Sequence, residues 1–324
     1  MKKIAYLFPG QGAQYSGMAM DLISSSNAVS LLFQTASDIL GKDIKEILNS
    51  DADTLKRTDV SQPAITAANL ASVVFLNEKG FTPCACAGFS LGEYAALVCA
   101  GVISTEDCFR LIKARGEAMQ KAADNLRSKS ENNANSVCAP GMAAVVGLSP
   151  EQAEKLIAQW KDEGVKDLFA ANINSPKQLV ISGTDAALIE AEKRFKEAGA
   201  KRVIRLQVAG PFHSPLIAEA AEDFKTVLNT INFNNPKITI FSNVTGKEIS
   251  SGLQAKELAV KQITNPVRWT EEEEAITAFG IDVCFETGPG KVLQGLWKET
   301  GSEIPIYAAG TAEDINKIIQ GDFL

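Results

Sequence analysis

The sequence predicts an α/β protein, a mainly parallel sheet covered by helices on both faces with a smaller βαββαβ unit inserted in its middle. Three observations point there. Short apolar segments that read as strands alternate with helical stretches along most of the chain. One of them, PCACAG, runs through a tight glycine turn, GFSLG, straight into a helix. Between about 141 and 208 the order changes to strand, helix, strand, strand, helix, strand.

In chain order, residues 3–8 (KIAYLF) read as a buried strand, followed by the glycine-rich loop PGQGAQYSG. Gln62 to about Glu78 is an apolar helix ending in Lys79-Gly80. After GFSLG, Glu93–Ala100 continues as a helix stopped by Gly101, and Thr105–Ala123 forms another. Residues 124–140 (DNLRSKSENNANSVCAP) are polar without an apolar period and read as a mobile surface loop. Gly141–Leu148 is a strand, and Ser149-Pro150 opens a helix to about Glu163. Two strands, Lys166–Ile173 and Gln178–Gly183, flank the turn 174–177. Asp185 caps a helix to about Ala198, and Lys201–Val208 is the last strand of the unit, whose order is the split pattern of a ferredoxin-like subdomain. Further strands are expected at Lys237–Ser242, Asp282–Glu286 and Ile304–Tyr307. The expected division is therefore 1–140 with 209–324 as the larger domain and 141–208 as the small subdomain.

Composition narrows the classes. The 324 residues are 45% hydrophobic and 22% charged, ordinary for a globular protein. A net charge of −7 argues against general nucleic-acid binding. Six cysteines show no C-x-x-C pair and read as small buried thiols, and with one histidine in the chain no metal site is expected. Pro9 and Gly10 interrupt the first apolar run too early for a signal peptide, and no run reaches membrane-spanning length. A cytoplasmic protein without membrane contact is the expectation.

Ser90 lies in G-x-S-x-G between a strand and a helix, where a strained turn leaves no room for larger neighbours. At a helix start the N–H of Leu91 is free for an oxyanion; alternatively Ser90 is a plain helix cap. A serine nucleophile needs a base, and His213 in GPFHSP, braced by prolines, is the chain's single imidazole. Arg115 falls inside the apolar stripe Cys108, Leu111, Ile112, Met119 of its helix. An inward arginine needs a partner, either a protein carboxylate such as Glu93 or Glu286, or a substrate carboxylate. The loop GQGAQY fails both the dinucleotide and the phosphate-loop patterns, which leaves a tight loop bringing backbone and Gln11 close to a ligand. GPG at 288–290 reads as a simple turn.

FPGQGAQ, GFSLGEY, RGEAMQ, ANINSPKQLVISG, GPFHSPL, NPVRW with the preceding Gln262, and ETGPGKVLQGL stand in order along almost the whole chain. Together they resemble the malonyl-CoA:acyl carrier protein transacylases of bacterial fatty acid synthesis. The resemblance implies an α/β-hydrolase-like larger domain with a ferredoxin-like insert. It implies ping-pong transfer of malonyl from malonyl-CoA to the phosphopantetheine thiol of acyl carrier protein, with no permanently bound cofactor. Ser90 would be the acylated nucleophile and His213 its base; Gln11 and the Leu91 N–H would form the oxyanion hole. Arg115 would hold the malonyl carboxylate, and the Gln262 carbonyl would orient the imidazole. One position departs from the family: Phe89 replaces the usual histidine before the serine. The protein is expected to act as a monomer and to meet its acidic carrier through a local basic patch, for which Arg127, Lys129, Lys193 and Lys196 are candidates. The rival readings are an esterase or thioesterase using water as acceptor, and a non-catalytic carrier-binding module.

Overall fold

The computed structural model describes residues 2–131 and 139–321. Strands β1 (Ile4–Phe8) and β2 (Ala85–Gly88) come first. Four strands follow as a group: β3 (Gly141–Val146), β4 (Leu168–Ser175), β5 (Gln178–Gly183) and β6 (Arg202–Arg205). Then come β7 (Thr239–Ile240), β8 (Val283–Glu286) and β9 (Ile306–Ala308). The larger sheet has the order β7-β2-β1-β8-β9 with every pair parallel. Its central strands are buried throughout, which is why they read as continuous apolar runs rather than alternating ones. Tyr6 of β1 stacks on Phe285 of β8 on one face, and Trp269 and Trp297 fill the other.

The smaller sheet is antiparallel, in the order β4-β5-β3-β6, as the βαββαβ pattern requires. Its helices, Pro150–Asp162 and Asp185–Glu197, pack Trp160 edge-on against Phe195 in a separate core. Backbone hydrogen bonds join this sheet to the larger unit: Ile173 N–H donates to the Val267 carbonyl at 2.8 Å, and Val267 N–H to that of Ala171 at 2.9 Å. The inner edge of the small sheet thus becomes one wall of a cleft.

The fold class is as expected, with local corrections. The helix beginning at Thr105 does not end at Ala123 but runs to Glu131, so residues 124–131 are helix, not loop. Its polar last turns are held sideways. Lys121 pairs with Asp223 at 2.7 Å, Asn125 donates to Glu219 at 3.0 Å, and Leu126 packs on the core. The rest of the expected loop, 132–138, lies outside the described residues, as does Cys138. Lys237–Ser242 contributes only two strand residues, because β7 is an edge strand pairing with β2 alone. Thr184, not Asp185, caps the 185–197 helix; its hydroxyl accepts from Ala187 N–H. Among the described residues no helix is long and apolar enough to cross a membrane, and no cluster of His, Cys, Asp and Glu could hold a metal ion.

Candidate active site

Parallel strands β1 and β2 end side by side, with Phe8 in register with Gly88. The two loops that leave their carboxyl ends therefore touch, at the edge where open α/β sheets bind ligands. A Cβ on Gly10 would lie 2.3 Å from the Phe89 carbonyl oxygen, so only glycine permits that approach. The turn after β2 is tighter still. A Cβ on Gly88 would meet the Gly92 carbonyl carbon at 2.1 Å, and one on Gly92 would meet the Phe8 oxygen at 2.1 Å. Between them Ser90 takes φ 49°, a left-handed conformation that costs a non-glycine residue about 1–3 kcal/mol.

Ser90 does not act as a helix cap: its hydroxyl receives no backbone N–H among the described residues. Instead Oγ lies 2.7 Å from His213 Nε2. His213, also at positive φ (56°), is 4% exposed, and its Nδ1 lies 2.8 Å from the Gln262 carbonyl oxygen. A carbonyl can only accept, so Nδ1 carries the proton and Nε2 is left as the acceptor facing Ser90. Burial, helped by the nearby Arg115 cation, pushes the imidazole down to about 4, leaving it neutral at pH 7. A hydroxyl donating to a neutral imidazole is the geometry of nucleophile and general base.

Arg115 is 1% exposed, inside the stripe where its spacing put it. Neither carboxylate considered for it is its partner. Glu286 accepts the N–H groups of Leu293 and Gln294, both at 2.9 Å, and Glu93 accepts that of Asn243 at 2.8 Å. The guanidinium instead donates to Gln262 Oε1 at 3.0 Å, approaches Ser90 Oγ at 3.4 Å and lies over the Tyr94 ring at 5.4 Å. Its Nε has no hydrogen-bond partner among the described residues. Arg115 makes no ion pair among the described residues, so a buried cation faces the serine with donors to spare.

The Leu91 N–H, at the helix start, donates to no protein acceptor among the described residues. Leu91 and Gln11 line the same cleft of about 320 Å³ as Ser90, His213 and Arg115. Thus five of the six expected site residues open on one cavity, and the sixth, Gln262, lies fully buried behind it. Phe89 lines the cleft too, with its ring edge-on to Trp269 at 5.5 Å. An apolar side chain there packs on the Trp269 face of the larger sheet instead of adding a polar group.

Two contributions escaped the sequence reading. The Gln262 side chain, besides its carbonyl, bonds Arg115 and donates to the Ser90 carbonyl oxygen at 2.9 Å. Asn243, directly after an expected strand, accepts the Ser90 N–H at 2.7 Å. Neither has a local motif; only the fold brings them under the turn.

A hydroxyl, a neutral imidazole and an unpaired guanidinium converging in one cleft of this fold define the class, an α/β acyltransferase. A family model described as "Acyl transferase domain" matches residues 5–318, and a malonyl CoA-acyl carrier protein transacylase of Bacillus subtilis is 36% identical over 99% of this chain and 97% of its own. The chain belongs to the acyl transferase family, among the malonyl CoA-acyl carrier protein transacylases. Solved structures agree. An acyl carrier protein S-malonyltransferase from Vibrio cholerae superposes with a TM-score of 0.88 at 35% identity, over 98% of this chain and 99% of that one. A malonyl-transacylase in complex with its type II PKS acyl-carrier protein does so with a TM-score of 0.88 at 35% identity, over 99% and 100%.

Proposed function

We propose that the protein transfers the malonyl group from malonyl-CoA to the phosphopantetheine thiol of acyl carrier protein, in two steps through a malonyl ester on Ser90. The observation that carries this reading is the unpaired Arg115 guanidinium, 3.4 Å from the hydroxyl that would be acylated. An acyl group ending in a carboxylate supplies the partner the cation lacks.

In the first step Ser90 Oγ attacks the thioester carbonyl carbon while its proton passes to His213 Nε2. The tetrahedral oxyanion accepts hydrogen bonds from the Leu91 N–H and from Gln11, donors worth about 2.7–4 kcal/mol each by analogy with other oxyanion holes. Collapse expels the CoA sulfur, which takes the proton back from the imidazolium. The second step runs in reverse, with the carrier's thiol as nucleophile and Ser90 Oγ as leaving group. The Gln262 carbonyl holds the imidazole by its Nδ1–H without adding the full negative charge of a carboxylate. In the first step a thiol leaves readily enough for that weaker help to serve.

The carrier would approach the open side of the cleft. There Lys56 lines both the cleft and an adjoining depression that also holds Arg57 and Arg127. Of the four basic candidates, Arg127 is thus the one beside the cleft; Lys193 and Lys196 lie on the small-unit helix, with Lys196 paired to Glu192.

Intact-protein mass spectrometry tests the reading. Wild type mixed with malonyl-CoA should gain one malonyl group and keep it until holo acyl carrier protein is added, and Ser90→Ala should gain none. Rapid loss of the ester to water without a carrier would make the protein a thioesterase. Absence of any ester on wild type would leave a non-catalytic binding module.

A further inference from the structure

Asn243 is fully buried, and every polar group it has is used. Its main-chain N–H donates to Glu93 Oε2 at 2.8 Å, and its carbonyl accepts from the Arg268 N–H at 2.8 Å. Its side-chain Oδ1 accepts the Ser90 N–H at 2.7 Å and a Gln262 Nε2–H at 3.3 Å. Nδ2 donates to the Gly88 carbonyl at 2.7 Å and to Glu272 Oε1 at 2.7 Å. A primary amide has two donor and two acceptor sites, so this one is saturated, and its orientation is fixed by donors on one side and acceptors on the other.

The two bonds to the elbow matter most. One planar group grips the end of β2 through Gly88 and the nucleophile through the Ser90 N–H. Ser90 is itself the residue that must stay at positive φ. A rigid clamp across a strained turn is what keeps it from relaxing to an ordinary conformation, which would swing the hydroxyl away from His213. Capture of the Ser90 N–H also removes that donor from the cleft, so the elbow offers the reaction the Leu91 N–H alone.

The clamp is anchored from two further elements. Glu93 belongs to the Gly92–Cys99 helix and Glu272 to the Trp269–Phe279 helix; both are buried, and neither makes an ion pair among the described residues. Burial pushes both carboxyls up, Glu93 to about 7 and Glu272 well above the usual carboxylate range. A neutral Glu272 can receive the Asn243 amide without setting a charge beneath the nucleophile.

We propose that Asn243 is a positioning residue for acyl transfer, holding the Ser90 elbow in register with His213 through its side-chain amide. The proposal rests on Ser90 being the nucleophile, as argued above. It implies a loss in the chemical step without a loss of substrate binding, because Asn243 does not line the cleft.

The test compares wild type, Asn243→Ala and Asn243→Asp at saturating carrier and varied malonyl-CoA, with Ser90→Ala as control. Folded fraction is set by circular dichroism, and the single-turnover rate of Ser90 acylation is read by rapid-quench mass spectrometry. Asn243→Ala should lower kcat and the acylation rate on the order of a hundredfold, the scale of a 1 Å misplacement, with KM within about threefold. Asn243→Asp matches the volume but turns an oxygen toward the Gly88 carbonyl, and should lose about tenfold or more in kcat at unchanged KM. If the alanine variant does not fold, the aspartate variant decides alone. A folded variant with kcat and acylation rate within about threefold of wild type, or one losing rate only through a raised KM, overturns the proposal. Failure of wild type itself to acylate would instead overturn the reading of Ser90.

Discussion

Ser90 and His213, 2.7 Å apart through Oγ and Nε2, are both held in the left-handed backbone region, at φ 49° and 56°. Among the described residues only Ala19 and Asp167 share that region without being glycine. The concentration of strain at this hydrogen-bonded pair shows where tertiary contacts outweigh local preference. Ser90 is gripped through its N–H and its carbonyl oxygen. His213 stands between flanking proline-containing segments, with the preceding Phe212 carbonyl bonded to Ser182 of the small sheet.

Arg115→Ala should lower malonyl transfer by at least about a hundredfold and narrow the preference for malonyl over acetyl. Loss of one partner of a buried ionic pair costs roughly 3–5 kcal/mol. A radiometric transfer assay with both thioesters reads it directly, and an unchanged malonyl-to-acetyl ratio would take Arg115 out of the carboxylate role.

Gln262→Ala separates two functions of one residue. The variant keeps the carbonyl that orients His213 but loses the amide that fixes Arg115 and the Ser90 carbonyl. We expect KM for malonyl-CoA to rise about tenfold, the value of one charge-assisted hydrogen bond, with a smaller fall in kcat. A kcat loss as large as that of His213→Ala, with KM unchanged, would assign the side chain to the base instead.

As the proposed base, the buried His213 imidazole should set the acid limit of the reaction. His213 is neutral until pH falls through about 4, below the ordinary histidine value, so the active base form persists across pH 5–8. The kcat/KM for acylation should therefore stay flat as pH drops through 6.5 and decline only nearer 4. Stability has the same sign. The unfolded chain takes up the proton near 6.5 while the folded one resists, so stability falls as pH decreases between those values. Half-loss of kcat/KM at pH 6.5 in stopped-flow acylation would contradict the burial of this group.

Gly92→Ala should be among the most damaging one-methyl changes. The added Cβ, at the start of the helix after the elbow, would meet the Phe8 oxygen at 2.1 Å, and the atoms it meets are all main chain, of Phe8 at the end of β1 and of Pro9 after it. We expect a loss of about 3 kcal/mol or more in denaturant unfolding, because overpacked backbone cannot yield as a side chain can. A midpoint shift too small to resolve would mean that β1 and the elbow separate more easily than their register suggests.

Much of this was legible in the sequence because the signals were local. The elbow needs two glycines around one serine, and the split βαββαβ unit shows its turn and cap residues. Arg115 betrays itself as a charge within an apolar period. The three helices between Met20 and Leu48 were not read, although Ser26 caps one of them and Gly41 ends it. The helical nature of 124–131 was hidden because, Leu126 apart, its support is polar and lies on another helix, as in the bond from Asn125 to Glu219. Asn243 was illegible for the same reason. An asparagine after a strand usually marks a turn, and its six hydrogen bonds exist only once elements from opposite ends of the chain have met.

The stitch between Val267 and the β4 strand therefore has a kinetic side. Ser90 lies 123 positions from His213 and 172 from Gln262, so the centre closes over very long stretches of polypeptide. Such closures come late, after helices and local hairpins have formed. In a refolding experiment, recovered transferase activity will lag the return of far-ultraviolet ellipticity. The enzyme's own turnover then serves as the readout of the moment at which its two sheets lock together.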